Sequence, residues 1–185
     1  MQEFRLETQR LILRSWRAED REPFAAMSAD PEVMATLSPV MSRAEADALV
    51  DRVAAKEVDD GYTFWALERR SDARFIGWCG VIRGDMAPVD GKAEIGWRLA
   101  RSAWGYGYAT EAARGTLDWL FANLADDAAL AITHTGNHRS RAVMERLGMV
   151  YRPDLDFAHP RLAEANALRP HVTYELARQT WEAAA

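Results

Sequence analysis

A mixed α/β layer structure is the fold class this sequence predicts. Three strand-like apolar segments, 63–68, 74–82 and 92–99, follow one another with only loops between them. Helix-like segments stand before this run and then alternate with strands after it. Consecutive strands without intervening helices pair antiparallel, so the order excludes a doubly wound βαβ chain.

Each element has its own local reason. Residues 8–16 alternate partly through Leu11, Leu13 and Trp16 and read as a strand. Residues 18–28 follow as a helix, and Asp30-Pro31 restarts the chain, with Pro31 suited to a first helical position. Residues 42–58 form a longer helix, with Ser42 as N-cap, Glu45 at capping-box spacing and Gly61 beyond its end. Ser71-Asp72-Ala73 is a hairpin-length loop between the first two of the three strands. Residues 84–91, with Pro88 and Asp90, make the longer turn before the third. A helix over 108–123 is predicted from the spacing of Ala113, Leu117, Leu120, Phe121 and Leu124. Residues 128–133 read as a short strand, and 137–147 as a helix ended by Gly148. The segments 149–155 and 171–177 are the last strands, and 179–185 is expected to fray.

Composition narrows the function classes. The 185 residues, 49% of them hydrophobic, suit one globular domain over 1–185, with its core at about 8–178. A net charge of −5 without a long basic block disfavours nucleic-acid binding. No apolar run approaches the ~20 residues of a membrane span, and residues 1–10 hold no signal-peptide core. Cys79 is the only cysteine, which fits a reducing cytoplasm and reads as a small buried hydrophobe.

The run from Arg98 to Ala113 carries the chemistry. A strand enters a turn holding Gly105 and Gly107, and the turn opens directly into a helix. The first amides of a helix lack intrahelical partners and sit at the positive end of its dipole. Glycine lets a ligand approach that backbone, so phosphate or diphosphate is the natural guest. By itself the turn could equally be a tight strand–helix connection. A dinucleotide fingerprint would need glycine where Thr110 stands, and no Walker Lys-Ser/Thr follows.

Further motifs decide between these readings. They are Thr8-Gln9-Arg10-Leu11-Ile12-Leu13-Arg14, Phe75-Ile76-Gly77, Ala93-Glu94-Ile95-Gly96, and the run from Asn137 to Met149 beginning Asn-His-Arg-Ser. With the glycine turn they resemble the GNAT acetyltransferase superfamily, and its RimJ/RimL-like ribosomal-protein-alanine N-acetyltransferase branch in particular. The segment 157–172 resembles the same branch. The resemblance implies a mixed, mostly antiparallel sheet of six to seven strands with about four helices. It also implies acetyl-CoA as acyl donor and an amine as acceptor, either a protein N-terminus or a small molecule. A homodimer is common in the family.

The resemblance also assigns candidate residues. The turn Trp104, Gly105, Tyr106, Gly107, Tyr108, Ala109, continuing to Thr110, would hold the coenzyme A diphosphate. Trp104 stands where Arg or Gln is usual, and Tyr106 where a basic residue is common. Arg101 or Arg139 would restore the missing cation, whereas Arg141 reads as solvated surface. Glu94 matches a catalytic base, with an ion-paired strand-end carboxylate as the plainer alternative. The backbone N–H of Leu99, or of its neighbour Ala100, would stabilise the oxyanion. Met144 occupies the usual position of the thiolate's Tyr proton donor and cannot donate. Ser140 takes that role in the branch, with a helix cap as its alternative. Asn137 would meet the pantetheine arm or the backbone of the splayed strands, cap its helix, or do both.

Among the histidines, His134 falls near the expected thioester and could tune a base. His138, His159 and His171 lack metal-ligand spacing, so no metal is expected, and the last two read as structural. Trp65, Trp78 and Trp97 read as sheet packing, one of them a candidate wall of the acceptor pocket. That pocket is expected from residues 29–39, 84–91 and 154–169. The competing functions are a catalytically silent acyl-CoA sensor and an interaction domain whose glycine turn is only a turn.

Overall fold

The computed structural model describes residues 3–184. The first half runs β1 (Arg5–Glu7), β2 (Leu11–Arg14), α1 (Arg21–Ser28), α2 (Pro31–Met34), α3 (Arg43–Asp60), β3 (Phe64–Arg69), β4 (Arg74–Arg83) and β5 (Ala93–Leu99). The second half runs α4 (Tyr108–Asn123), β6 (Ala128–His134), α5 (His138–Arg146), β7 (Val150–Tyr151), β8 (Phe157–Ala158), β9 (Pro170–Ala177) and α6 (Arg178–Glu182). This is the mixed, mostly antiparallel sheet the sequence predicts. It has nine strands in the order β1-β2-β3-β4-β5-β6-β9-β7, with β8 also on β9. The excess over six or seven comes from β1, β7 and β8, each only two or three residues long.

Local signals account for the well-placed elements. Ser42 and Glu45 close a reciprocal capping box at the start of α3, and Gly61 ends that helix at φ +81°. Asp30 caps α2, with Pro31 at its first turn. The helix α4 spans the residues its periodicity predicts. Its Ala112, Ala113, Leu117 and Leu120 are completely buried against the sheet. The opposite face carries a second apolar cluster, in which Phe24, Met27, Val33, Met34, Ala46 and Val50 come from α1–α3.

Two expectations fail at the C-terminal side. The predicted strand 149–155 shrinks to β7, because Pro153 starts a 3-10 turn, Pro153–Leu155. Proline has no N–H for a ladder. Of the tail expected to fray, 179–185, the described part 179–184 carries most of α6, which is docked instead, and residue 185 lies outside the described residues. In α6, Trp181 is buried and its Nε1 donates to Asp118 Oδ1 at 3.0 Å. Just before it, Arg178 caps the end of α4 by donating to the Leu124 carbonyl at 2.6 Å.

One parallel pairing positions the site. β5 and β6 pair only at Ala93–Ala129 and Glu94–Leu130. Beyond that point β5 continues on β4 as far as Leu99, and β6 continues on β9 as far as His134. The sheet therefore opens between them.

Candidate active site

The opening between β5 and β6 leads into a cavity of about 800 Å³. That is large enough for a cofactor-sized ligand. Its walls are the end of β5 (Trp97, Arg98, Leu99), the glycine turn with the start of α4, the start of α5, and α2. The turn reaches its shape through two left-handed glycines, Gly105 at φ +84° and Gly107 at φ +78°. Gly107 is the N-cap of α4, so no side chain occupies the first amides of that helix. Sequence reading missed what anchors this helix start from outside. Glu111, in its first turn, accepts from the Thr8 hydroxyl at 2.6 Å and the Arg10 amide at 2.7 Å, and pairs with Arg10 Nε at 2.6 Å. Burial alone would raise the Glu111 pKa, but these hydrogen bonds outweigh it and hold the carboxyl below its usual range.

Of the residues expected to touch coenzyme A, Leu99, Trp104, Gly105, Gly107, Tyr108, Ala109, Thr110, Asn137 and Ser140 all line the cavity. Tyr106 does not. It is exposed and contributes its carbonyl to Arg10 Nη1 at 3.0 Å. Trp104 turns its Nε1 to the Leu99 carbonyl at 3.0 Å. The Arg139 guanidinium lies 4.2 Å from its ring and also lines the cavity, which places a cation beside the turn. Arg101 is held by Glu32 at 2.6 Å. Arg141 is half-buried rather than freely solvated: it donates to Tyr174 Oη and the Thr135 carbonyl, both at 3.2 Å.

Backbone alternation distinguishes the Leu99 and Ala100 N–H groups. The Ala100 N–H is consumed by the Ile76 carbonyl at 2.9 Å, so that alternative is withdrawn. Alternate residues of an antiparallel strand point their N–H groups to opposite sides. Leu99 therefore turns its N–H away from β4 and toward the opening.

Asn137 caps its helix, one of the roles the sequence allowed, and also ties that helix to β6. Its Oδ1 caps α5 by accepting from the Ser140 amide at 3.2 Å, and its Nδ2 donates to Thr133 Oγ1 at 2.9 Å. The cap is thus Asn137, and among the described residues the Ser140 hydroxyl makes no hydrogen bond of its own. Met144 is buried in the core.

Glu94 sits where β5 and β6 separate, on the β5 face shared by Gly96 and Arg98. It is not in the cavity wall. The plainer reading of an ion-paired carboxylate fails, because among the described residues Glu94 has no salt bridge. Burial pushes its pKa up to about 7, with the Asp85 charge adding to the rise and Arg161 and Lys56 opposing it. Asp85 and Arg161 themselves pair at 2.7 Å, joining two of the segments expected around the acceptor. The third, 29–39, supplies Val33, Thr36 and Leu37 to the cavity.

His134 is not a free base. Its Nδ1 accepts from the Gly136 amide and its Nε2 faces the Ala167 carbonyl, both at 3.1 Å. His138 lines the cavity. His159 and His171 stand 4.8 Å apart beside Phe157, and burial lowers the pKa of both. Cys79 is fully buried, its thiol pushed up to about 12, as a structural cysteine should be.

Residues 10–150 match the family model described as an acetyltransferase (GNAT) domain. The chain belongs to the GNAT acetyltransferase family. It is 32% identical over 148 residues to the uncharacterized protein YkkB of Bacillus subtilis, covering 80% of this chain and 86% of that protein. It is 29% identical over 121 residues to the uncharacterized N-acetyltransferase p20 of Bacillus licheniformis, covering 64% and 67% respectively. Among solved structures, the fold matches RimL, a ribosomal-protein alpha-N acetyltransferase in complex with coenzyme A. That match has a TM-score of 0.75 at 14% identity, over 96% of this chain and 99% of that one. The family uses acetyl-CoA, and among the described residues no helix is long and apolar enough to cross a membrane.

Proposed function

We propose that this GNAT acetyltransferase moves the acetyl group of acetyl-CoA to a primary amine in the opening between β5 and β6. The observation that carries this reading is that the Leu99 N–H and the side-chain-free start of α4 face one cavity. The amides of Tyr108 to Thr110 take the diphosphate, aided by Arg139. Asn137 fixes the start of α5 against β6, and Ser140 faces the pantetheine arm.

The amine nitrogen attacks the thioester carbonyl carbon, and the Leu99 N–H donates to the oxygen as it gains charge. The carbon–sulfur bond then breaks, and the Ser140 hydroxyl protonates the leaving thiolate, regaining its proton from water. Glu94 accepts the proton the amine loses. Five residues along β5 separate Glu94 from Leu99 by about 16 Å, so water carries that proton. A pKa near 7 leaves Glu94 able to accept a proton at neutral pH. We place the reaction in the cytoplasm, where the single cysteine suits the redox poise.

A thiol-release assay with acetyl-CoA tests the reading, using small amines and peptides that begin with Ser, Ala or Met. Release that depends on both acetyl-CoA and an amine is the expected result. A rise in Tm with acetyl-CoA but no release for any amine would make the chain a sensor instead.

A further inference from the structure

Arg98 is a buried polar side chain that neither the fold nor the mechanism above uses. Its Nε and Nη1 are sealed from solvent and have no hydrogen-bond partner. Among the described residues no carboxylate pairs with it. Burial alone pulls its pKa down to about 10. Buried guanidinium groups in structural roles are saturated. Arg14 shows this in the same sheet: it is held by Asp20 at 2.7 Å and Glu68 at 2.8 Å. Arg98 instead lies 5.5 Å from the Trp78 ring centre and is one of the residues lining the cavity, with Nη2 outside the sealed pair of nitrogens.

Its position separates it from the diphosphate turn. Arg98 shares a β5 face with Glu94 and Gly96, the face of Trp78 and the α1–α3 cluster. The opposite face packs on α4. Over Gly96, Phe64 and Trp78 stack at 4.5 Å, and a Cβ on Gly96 would meet the Phe64 ring at 3.1 Å. Arg98 therefore stands one residue before the Leu99 N–H, on the side where Glu94 awaits the amine. Val33 and Leu37 line the same cavity and offer it an apolar wall.

We propose that Arg98 binds a carboxylate of the acceptor, so that the acceptor is a small amine bearing a carboxylate and an apolar group. A carboxylate in the cavity would reach the unsealed Nη2 and supply a charged acceptor that the guanidinium lacks. The indole of Trp78 holds the guanidinium in place, and Val33 and Leu37 take the apolar group. Arg98 is thus a specificity-determining residue. This proposal rests on the transferase reading above.

The test compares phenylalanine, methionine and leucine with their primary amides, at saturating acetyl-CoA, by thiol release. We expect each acid to exceed its amide in kcat/KM by about tenfold or more, with the difference carried by KM. In Arg98→Gln the acid-to-amide ratio should fall to near one. If that variant does not fold, the wild-type ratio and that of Arg98→Lys decide. A wild-type ratio at or below one, a ratio unchanged in Arg98→Gln, or faster turnover of Ser- or Ala-peptides than of any acid would overturn the proposal. No thiol release from any amine would sink the transferase reading instead. The Tm of the coenzyme A-saturated protein with millimolar phenylalanine or phenylalaninamide then decides: stabilisation by the acid alone supports the carboxylate site, and equal shifts refute it.

Discussion

Replacing Glu94 with Gln reads its proposed catalytic role and its cost to stability in one variant. The folded pKa of about 7 against an ordinary 4.5 leaves a gap of about 2.5. At 1.36 kcal/mol per pKa unit, that gap is worth up to about 3 kcal/mol. The sign follows from proton binding. Between pH 4.5 and about 7 the folded state keeps a proton the unfolded chain has released, so Glu94 costs stability as pH rises through this window. Below it the cost vanishes, and above it the cost is constant. Gln keeps the shape without the charge. The variant should match wild type at pH 4.5 and exceed it at pH 8, by roughly 6–12 °C in Tm for a chain of this size. Its kcat/KM should meanwhile fall by about 10²–10⁴ and lose the rise centred near pH 7. Thermal unfolding and acetyl transfer measured across pH 4.5–9 read both effects. A pH-independent Tm difference, with kcat/KM within about threefold of wild type, would refute the argument.

Three further variants probe the frame around the cavity. Gly107→Ala puts a side chain at φ +78°, which costs about 1–2 kcal/mol and disturbs the amides at the start of α4. Its acetyl-CoA dissociation constant, by calorimetry, should rise about tenfold or more, and an unchanged constant would argue against the turn as the diphosphate site. Ser140→Ala should lower kcat without destabilising the fold, since Asn137 supplies the cap of α5; an unchanged kcat assigns thiolate protonation to water. Trp181→Ala should cost about 3–5 kcal/mol in urea unfolding, because the ring is buried and bonded to Asp118. A loss under about 1 kcal/mol would mean that α6 contributes little to the core.

Where local chemistry sets a boundary, the sequence could be read directly. The Ser42–Glu45 box, Gly61, the apolar spacing of α4 and the Asn137 cap each act within a few residues, and each element stands where its residues require it. The glycine turn belongs to the same class, since positive φ is a local demand. Contacts that close across the chain were not legible. Glu111 meets Arg10 across 101 positions, and Trp181 meets Asp118 across 63. Neither leaves a periodic trace. The tail therefore reads as frayed although Trp181 docks α6. His134 looked available because spacing places it near the opening, yet backbone groups satisfy both of its nitrogens. Arg98 shows the converse. Nothing in a strand sequence distinguishes an arginine with partners from one without, so its isolation emerges only in three dimensions.

The proposed mechanism depends on where the acyl donor lies. A crystal structure of the acetyl-CoA complex tests it directly. We predict the diphosphate on the amides of Tyr108 to Thr110, the pantetheine arm between β5 and β6, and the thioester oxygen within hydrogen-bond reach of the Leu99 N–H. Coenzyme bound elsewhere, or a thioester oxygen facing away from Leu99, would contradict it.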